Sequence, residues 1–190
     1  MLSDDEKLDA SSRFQESLPV SSDELMRRLD EWGVIYKCFN HVPLSTVADS
    51  KLIQHQFLNK SEGGGHIKNL YLRDRRKNNF LIVSEQDRTI DLKMLKIKLE
   101  TGGLSFGSSD RLMENLGVRA GAVTPFSMIT GIKKNVSLFL DAELKFCSKI
   151  YAHPLVNDRT IELSVENLEL YQSIQSTRLL QMHLQFENFY

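Results

Sequence analysis

A lysine and an asparagine, Lys68 and Asn69, stand side by side shortly after three consecutive glycines at residues 63–65. A glycine-rich loop lets another molecule approach the backbone closely. A cation fixed at the end of a strand can hold a phosphate or a polarised carbonyl group. We therefore interpret Lys68 as a candidate anion-binding residue, with Asn69 beside it. The alternative is an ordinary surface lysine at a strand edge.

The loop at residues 121–125 is the second candidate, because it runs from Gly121 to Thr124 and Pro125 just after a predicted helix. Proline fixes the backbone φ angle, which makes such a loop rigid. A rigid loop can point its N–H groups at a substrate oxygen. The alternative is a plain connection between a helix and a strand.

His153 is the third candidate, and it is followed by Pro154, Asn157 and Thr160. A proline holds the residue before it in an extended conformation. Pro154 could thus present His153, or its carbonyl group, to a pocket. The alternative is a histidine with a purely structural role.

A basic run lies at the tip of a predicted hairpin and consists of Arg73, Arg75, Arg76 and Lys77. Together with Lys133 and Lys134, it could form a patch that contacts RNA phosphates. The alternative is a solvated turn without a binding role.

Several catalytic motifs are missing from the sequence. It has no G-x-S-x-G nucleophile elbow, no P-loop and no G-x-G-x-x-G fingerprint. The histidines and cysteines show no zinc-ligand spacing. We therefore predict no metal and no cofactor, and any hydrolysis would use water positioned by the lysine and by backbone groups, with help from the substrate.

The composition describes one domain without a strong global charge. The chain has 190 residues, 41% of them hydrophobic, and a formal net charge of -1, so any RNA contact must come from a local patch. The polar, acidic N-terminus does not resemble a signal peptide, and no apolar stretch is long enough to cross a membrane. We expect a soluble, cytoplasmic protein without a membrane partner.

The elements that carry these residues alternate irregularly between helix and strand. Hairpins are predicted over residues 67–84 and 136–151, and helices begin near Ser22, Thr46, Asp91 and Ser164. This pattern favours the α+β class, with a mixed, mostly antiparallel sheet surrounded by helices. We predict a flexible N-terminal extension at residues 1–20, one domain at 21–175 and a C-terminal tail at 176–190.

Several motifs in this order resemble the YbaK/ProX family of aminoacyl-tRNA deacylases, which is related to the editing domain of bacterial prolyl-tRNA synthetase. The resemblance rests on the segments at residues 41–46, 68–74, 104–106, 111–118, 121–126 and 153–160. The Lys68–Asn69 pair and the Thr-Pro-Phe segment favour the free-standing ProX branch.

The resemblance implies a single α+β domain that hydrolyses the ester between a wrong amino acid and the terminal adenosine of a tRNA. The resemblance implies catalytic roles for three residues. Lys68 would anchor the terminal nucleotide, and the loop of Gly121 would donate N–H groups to the carbonyl oxygen. His153 would shape the aminoacyl pocket. Substrate binding is expected from Asn69, Thr124, Pro125 and Asn157. The implied partners are the acceptor end of proline tRNA and, as a second candidate, prolyl-tRNA synthetase.

The leading hypothesis is a trans-editing hydrolase that removes alanine from proline tRNA. Three alternatives stay open at this stage. The first is a deacylase for another small residue, cysteine or serine. The second is a non-catalytic module that binds tRNA or a synthetase, and the third is a hydrolase of small-molecule esters.

Overall fold

The computed structural model describes residues 9–175 and 180–182. Its helices are α1 (Ser22–Glu31), α2 (Val47–Ile53), α3 (Leu92–Lys98), α4 (Ser109–Leu116), α5 (Met128–Gly131) and α6 (Val165–Ile174). Its strands are β1 (Tyr36–Asn40), β2 (Gly64–Asp74), β3 (Asn79–Glu85), β4 (Leu104–Phe106), β5 (Val136–Asp141), β6 (Lys149–Ala152), β7 (Arg159–Leu163) and β8 (Leu180–Met182). Short 3₁₀ turns cover Ser12–Ser17, Gln54–Gln56, Lys60–Glu62, Pro125–Ser127, Ile132–Lys134 and Ala142–Phe146.

One sheet joins these strands in the order β1-β7-β6-β2-β3-β5-β8, with β4 paired to β2 beside this order. Among the described strands, the antiparallel pairs are β1–β7, β6–β7, β2–β3 and β2–β4. The parallel pairs are β2–β6, β3–β5 and β5–β8. The predicted α+β class with a mixed, mostly antiparallel sheet is confirmed.

The predicted hairpin over residues 67–84 is confirmed as β2 and β3, but the predicted hairpin over residues 136–151 is wrong. Strand β5 runs parallel to β3, and β6 runs parallel to β2. The 3₁₀ turn Ala142–Phe146 separates β5 from β6, so the two neighbours in sequence enter different parts of the sheet. Two apolar strands with a short polar connection suggest a hairpin. The partners of these strands are decided instead by the sheet edges that are free, here those of β3 and β2.

Hydrophobic side chains cover both faces of the central strands. The larger cluster joins β2, β3, β5, β6 and β7 to helices α1, α4, α5 and α6, with Tyr71, Leu81 and Val83 on this face. On the opposite face, Leu72 and Ile82 pack with Leu95 of α3. Because side chains alternate along a strand, β2 also presents Lys68 and Asn69 to opposite faces. The packing on both faces holds β2 rigid where it carries these two residues.

Side-chain caps begin four of the predicted helices, and the α2 cap is Thr46, whose hydroxyl accepts from the Asp49 N–H at 3.1 Å. The α1 cap is Ser21, whose hydroxyl accepts a hydrogen bond from the Glu24 N–H (3.1 Å), one residue before the predicted Ser22. Asp91 and Ser164 cap α3 and α6 as predicted. The predicted helix over residues 46–58 is shorter, because α2 ends at Ile53 and a 3₁₀ turn follows.

The described ends of the chain contribute to the fold. Residues 9–20, called the N-terminal segment below, contain a 3₁₀ turn and pack on the domain through buried Ala10 and Gln15. Residues 180–182 add β8 beside β5. The other residues of the predicted extension and tail lie outside the described residues, and the domain boundaries at residues 20 and 175 stay predictions. Within the described part of the chain, no helix is long and apolar enough to span a bilayer.

Candidate active site

A solvent-open cleft of about 540 Å³ brings together four of the residues that the sequence singled out. Lys68 and Asn69 come from β2, Gly121 from the loop after α4, and His153 from the end of β6. Residues 44–47 and Ser50 form the facing wall. We call this space the outer cleft.

A second, smaller space, the inner compartment, adjoins the outer cleft. Both spaces are lined by Leu44, Ser50, Ile67, Asn69 and His153, which therefore mark the junction between them. The inner compartment continues from this junction toward aromatic side chains.

Three rings form the aromatic wall of the inner compartment. His66 stacks on Tyr151 with ring centroids 4.9 Å apart, and Phe57 lies 4.7 Å from Tyr151. Beside them, the amide groups of Gln54 and Gln86 exchange two hydrogen bonds of 2.6 and 3.1 Å. Sequence reasoning missed these five residues, because they come from separate elements and share no motif spacing.

Lys68 is fixed at the edge of the outer cleft by the backbone. Its ammonium group donates a hydrogen bond to the Arg88 carbonyl. The Arg88 side chain in turn pairs with the carboxylate of Asp141, whose side chain is fully buried. Burial lowers the pKa of Lys68, against the charges of Glu85 and Asp87, which raise it. The cation is thus held in one place at the cleft, as binding of an anionic group requires.

Gly121 lies in a tight turn that faces the outer cleft. Its φ angle is +90°, in the left-handed region that favours glycine. A Cβ atom here would lie 3.3 Å from Ser45 Cα and 3.5 Å from Asn157 Nδ2. The Ala122 N–H closes the turn on the Arg119 carbonyl at 3.1 Å.

Two N–H groups of this loop remain available at the cleft wall. Gly121 and Val123 both line the outer cleft, and neither backbone N–H donates to any residue that the structure describes. Free N–H groups on a rigid loop are suited to stabilising a developing oxyanion. The Ala122 N–H is not available, since it is used within the turn.

His153 presents a neutral imidazole to both spaces. Its Nδ1 donates to the Arg159 carbonyl at 2.7 Å, because a carbonyl can only accept. Burial lowers the pKa of His153 to about 4, and the nearby His41, with ring centroids 6.0 Å apart, acts in the same direction. The ring is therefore uncharged near neutral pH, and its Nε2 is left with a lone pair.

The remaining predicted binding residues support the site from behind. Thr124 and Pro125 are buried and begin a 3₁₀ turn, with Thr124 capping the Phe126 N–H at 3.4 Å. They lie outside the linings of both spaces, and their direct contact with substrate stays a prediction.

Asn157 connects two walls of the outer cleft instead of projecting into it. The side chain of this buried residue donates from Nδ2 to the Ser45 hydroxyl at 3.2 Å. Its backbone carbonyl accepts from the Leu44 N–H at 2.8 Å. Thr160 is also buried, and its hydroxyl lies 2.8 Å from Nε2 of His41.

The basic run lies away from the outer cleft, at the turn between β2 and β3. Arg75, Arg76 and Lys77 are exposed there, whereas Arg73 is half-buried on β2. The register pairs Asn79 with Val136, which places exposed Lys133 and Lys134 at the same end of the sheet. The structure thus brings the predicted basic patch together. We call it the basic end.

The comparisons with known proteins decide the family. The family model of the aminoacyl-tRNA editing domain matches residues 43–170. The chain is also 34% identical over 146 residues to the prolyl-tRNA editing protein ProX of Acetoanaerobium sticklandii, which covers 76% of this chain and 86% of that protein. The chain belongs to the aminoacyl-tRNA editing domain family. The predicted YbaK/ProX resemblance and the predicted enzyme class, an aminoacyl-tRNA hydrolase, are confirmed.

Further relatives of this editing-domain protein agree with the assignment. Prolyl-tRNA synthetase associated domain-containing protein 1 of Xenopus laevis is 31% identical over 147 residues, covering 74% of this chain and 83% of that protein. The solved structure of a candidate trans-editing enzyme for prolyl tRNA synthetase superposes with a TM-score of 0.62. It covers 85% of this chain and 96% of that chain at 14% identity, so it supports the fold alone.

Proposed function

We propose that this editing-domain protein acts in trans on mischarged proline tRNA and hydrolyses the ester that links alanine to its terminal adenosine. The observation that carries the proposal is that one cleft is lined by a fixed cation, Lys68, and by Gly121 and Val123, whose backbone N–H groups have no acceptor among the described residues. The 34% identity to a prolyl-tRNA editing protein supports proline tRNA as the substrate.

The geometry favours water as the nucleophile. Ser45, Thr46 and Ser50 line the outer cleft, and none of their hydroxyl groups contacts a histidine in the described structure. The Thr46 hydroxyl is engaged with Asp49 in the cap of α2, and the Ser50 hydroxyl donates to the Thr46 carbonyl. An unactivated hydroxyl is a weak nucleophile. A water molecule would therefore attack the ester carbonyl carbon, and the carbonyl oxygen would take up the developing negative charge.

The side chains of the outer cleft supply charge stabilisation and orientation in this reaction. The N–H groups of Gly121 and Val123 would bind the oxyanion, and Lys68 would hold the phosphate of the terminal nucleotide. The carbon–oxygen bond to the ribose then breaks, the ribose oxygen takes a proton from the attacking water, and the free amino acid leaves. Oriented binding of this kind accelerates an activated ester without covalent catalysis.

The inner compartment supports a small amino acid. It lies beyond the junction at Asn69 and His153, and it is closed by the packed rings of Phe57, His66 and Tyr151. A large side chain would collide with these rings, and exclusion by collision discriminates sharply. Cysteine and serine are small enough to be alternative substrates.

The proposed setting is the cytoplasm, with aminoacyl-tRNA as the substrate and prolyl-tRNA synthetase as a second candidate partner. Co-purification with that synthetase tests the second partner. If the synthetase does not co-purify at physiological salt, it is not a stable partner of this protein.

Hydrolysis of labelled aminoacyl-tRNA tests the proposal directly. We expect rapid loss of alanine from proline tRNA, and slow loss of proline from proline tRNA and of alanine from alanine tRNA. Preferential loss of cysteine or serine from proline tRNA would show that this residue, and not alanine, is the one that the enzyme removes. No loss from any of these, with a folded protein, would favour a non-catalytic binding module.

The variant Lys68→Met tests the site assignment in the same assay. We expect kcat/KM to fall by about 10- to 100-fold, because a hydrogen bond to a charged group contributes about 1.5–3 kcal/mol. Lys60→Met is the matched control, since Lys60 is an exposed lysine near Glu85, with an N–O distance of 3.5 Å. Near-normal turnover by Lys68→Met would remove this lysine from the mechanism.

A further inference from the structure

Two hydrogen-bond acceptors without donors lie at the junction between the outer cleft and the inner compartment. The carboxamide oxygen of Asn69 is buried and has no hydrogen-bond partner among the described residues. The Nε2 atom of His153 is not among the buried unpaired atoms, but it also accepts no hydrogen bond from a described residue, while its Nδ1 is committed to the Arg159 carbonyl. Both residues line both spaces.

A buried acceptor without a donor destabilises a folded protein unless a bound molecule supplies the donor. Neither acceptor can pair with the other, and both are uncharged in the folded protein, since burial keeps His153 neutral. The unpaired lone pairs therefore indicate a ligand group that carries at least two N–H or O–H donors.

The position of the junction identifies that group, and the identification rests on the proposed function. If the scissile carbonyl lies at the Gly121 loop and the amino acid side chain lies in the inner compartment, the α-carbon lies between them. Its amino group then falls at the junction. We propose that Asn69 Oδ1 and His153 Nε2 bind the free α-amino group, so that the enzyme accepts only esters of unacylated amino acids.

The α-amino group suits two acceptors in either protonation state. An ammonium group has three N–H donors and a neutral amine has two. An N-acylated amino acid keeps a single N–H and adds bulk at the junction. Peptidyl-tRNA and N-formylated initiator tRNA would therefore escape hydrolysis.

Three esters of proline tRNA test this inference: alanyl, N-acetylalanyl and propionyl, the last of which lacks the amino group. Each enzymatic rate is divided by the uncatalysed rate of the same ester, because the amino group alters its intrinsic lability. We expect a preference of about 100-fold for alanyl over propionyl, about tenfold for each hydrogen bond. We expect no detectable turnover of the N-acetylalanyl ester.

The variant Asn69→Leu assigns the effect to the carboxamide. It should lower the normalised kcat/KM for the alanyl ester about tenfold more than that for the propionyl ester. Ser50→Ala is the matched control, because Ser50 lines both spaces but donates its hydroxyl hydrogen to the Thr46 carbonyl at 3.2 Å. This control should keep the wild-type preference for alanyl over propionyl.

Two results would overturn the inference while leaving the proposed function intact. One is an equal loss on the alanyl and propionyl esters in Asn69→Leu, which would mean that Asn69 orders the attacking water or only shapes the cleft. The other is hydrolysis of N-acetylalanyl-tRNA at the normalised alanyl rate.

A binding measurement keeps the inference testable if no ester is hydrolysed, a result that would instead contradict the proposed function. Amide-linked 3′-alanylamino-3′-deoxyadenosine and its propionyl counterpart cannot be cleaved as esters. We expect calorimetry to give at least tenfold tighter binding of the alanyl compound to the wild-type protein. Equal affinities for the two compounds would contradict the inference.

Discussion

The two titratable side chains of the outer cleft, Lys68 and His153, are both shifted by burial toward their uncharged forms. For His153 the shift leaves a neutral ring whose Nδ1 is fixed on the Arg159 carbonyl. A charged imidazole at this position would repel the α-amino group of an aminoacyl ester. The burial of the ring is thus part of the proposed binding chemistry.

The lowered pKa of His153 predicts a pH-dependent stability. In the unfolded chain the imidazole takes up a proton near pH 6.5, but in the folded protein only near pH 4. Between these values the unfolded state binds more protons, so the free energy of unfolding falls as the pH is lowered. We expect urea unfolding to show a loss of about 1–2 kcal/mol between pH 7 and pH 5, and His153→Asn should remove most of that loss.

The exposed His55 provides the matched control for this experiment. His55→Asn should keep the wild-type dependence of stability on pH. The slope left in His153→Asn comes from His66, whose pKa burial also lowers, and from carboxylates such as Glu24, whose pKa is lowered by its hydrogen bonds to Arg27 and Arg28. An unchanged slope in His153→Asn would show that His153 titrates normally in the folded protein.

At the scale of single residues, the sequence predicted the polar members of the site better than its apolar walls. Lys68, Asn69, Gly121 and His153 stood out because their types and neighbours are unusual, and all four line the outer cleft. Phe57 and Tyr151 did not, because an aromatic residue in an apolar run is compatible with any part of a core. Their common wall exists only after α2, β2 and β6 have packed together.

At the scale of elements, the N-terminal segment supports the loop that carries Gly121. Arg119 is only 6% exposed and donates to the Asp9 carbonyl at 2.9 Å and to the Ser17 hydroxyl at 2.7 Å. Its guanidinium group also packs 5.7 Å from the centroid of the Phe14 ring. The same segment accepts the Asn157 N–H on the Ala10 carbonyl at 2.9 Å.

We expect Arg119→Met to lower the free energy of unfolding by about 1–3 kcal/mol, because it removes the hydrogen bonds of a buried guanidinium group to the Asp9 carbonyl and the Ser17 hydroxyl. Urea unfolding measures the change. Arg13→Met is the matched control, since Arg13 is exposed on the same segment and also lies near the Phe14 ring, 5.3 Å from its centroid. Equal losses in both variants would contradict a specific role for the buried guanidinium group.

Strand pairing shows where local patterns stop predicting the fold. The charged turn at residues 74–79 specifies its own hairpin, because Asp74 accepts the Asn78 N–H at 2.8 Å within the turn. The connection after β5 forms its own 3₁₀ turn and specifies no pairing. The partners of β5 and β6 depend on which edges of the central strands are free, and this is a property of the whole sheet.

At the scale of the whole molecule, the net charge of -1 conceals an uneven distribution. The basic end and Lys68 are joined by β2, and six residues of extended strand span about 20 Å. A tRNA whose terminal adenosine lies at Lys68 could place acceptor-stem phosphates near the basic end. The sequence predicted the basic run together with Lys133 and Lys134, and the register of β3 with β5 places these two lysines at the same end of the sheet.

Reversal of one charge at the basic end tests this contact. We expect Arg76→Glu to raise the Kd for proline tRNA several-fold and to reduce the salt dependence of binding by about one unit of log–log slope. Arg13→Glu, on the N-terminal segment, makes the same change in net charge and should leave both quantities near the wild-type values. Similar effects of the two reversals would show a non-specific charge effect.

The N-terminal segment also bears on where the folded domain of this protein begins. The editing-domain family match begins at residue 43, whereas the acceptors for the buried Arg119 guanidinium come from residues 9–17. A protein cut at the family boundary would keep the cation and lose its acceptors. The part of the chain that the family model matches is therefore shorter than the part that folds together, and a fusion or transplant of this domain would have to carry the segment with it.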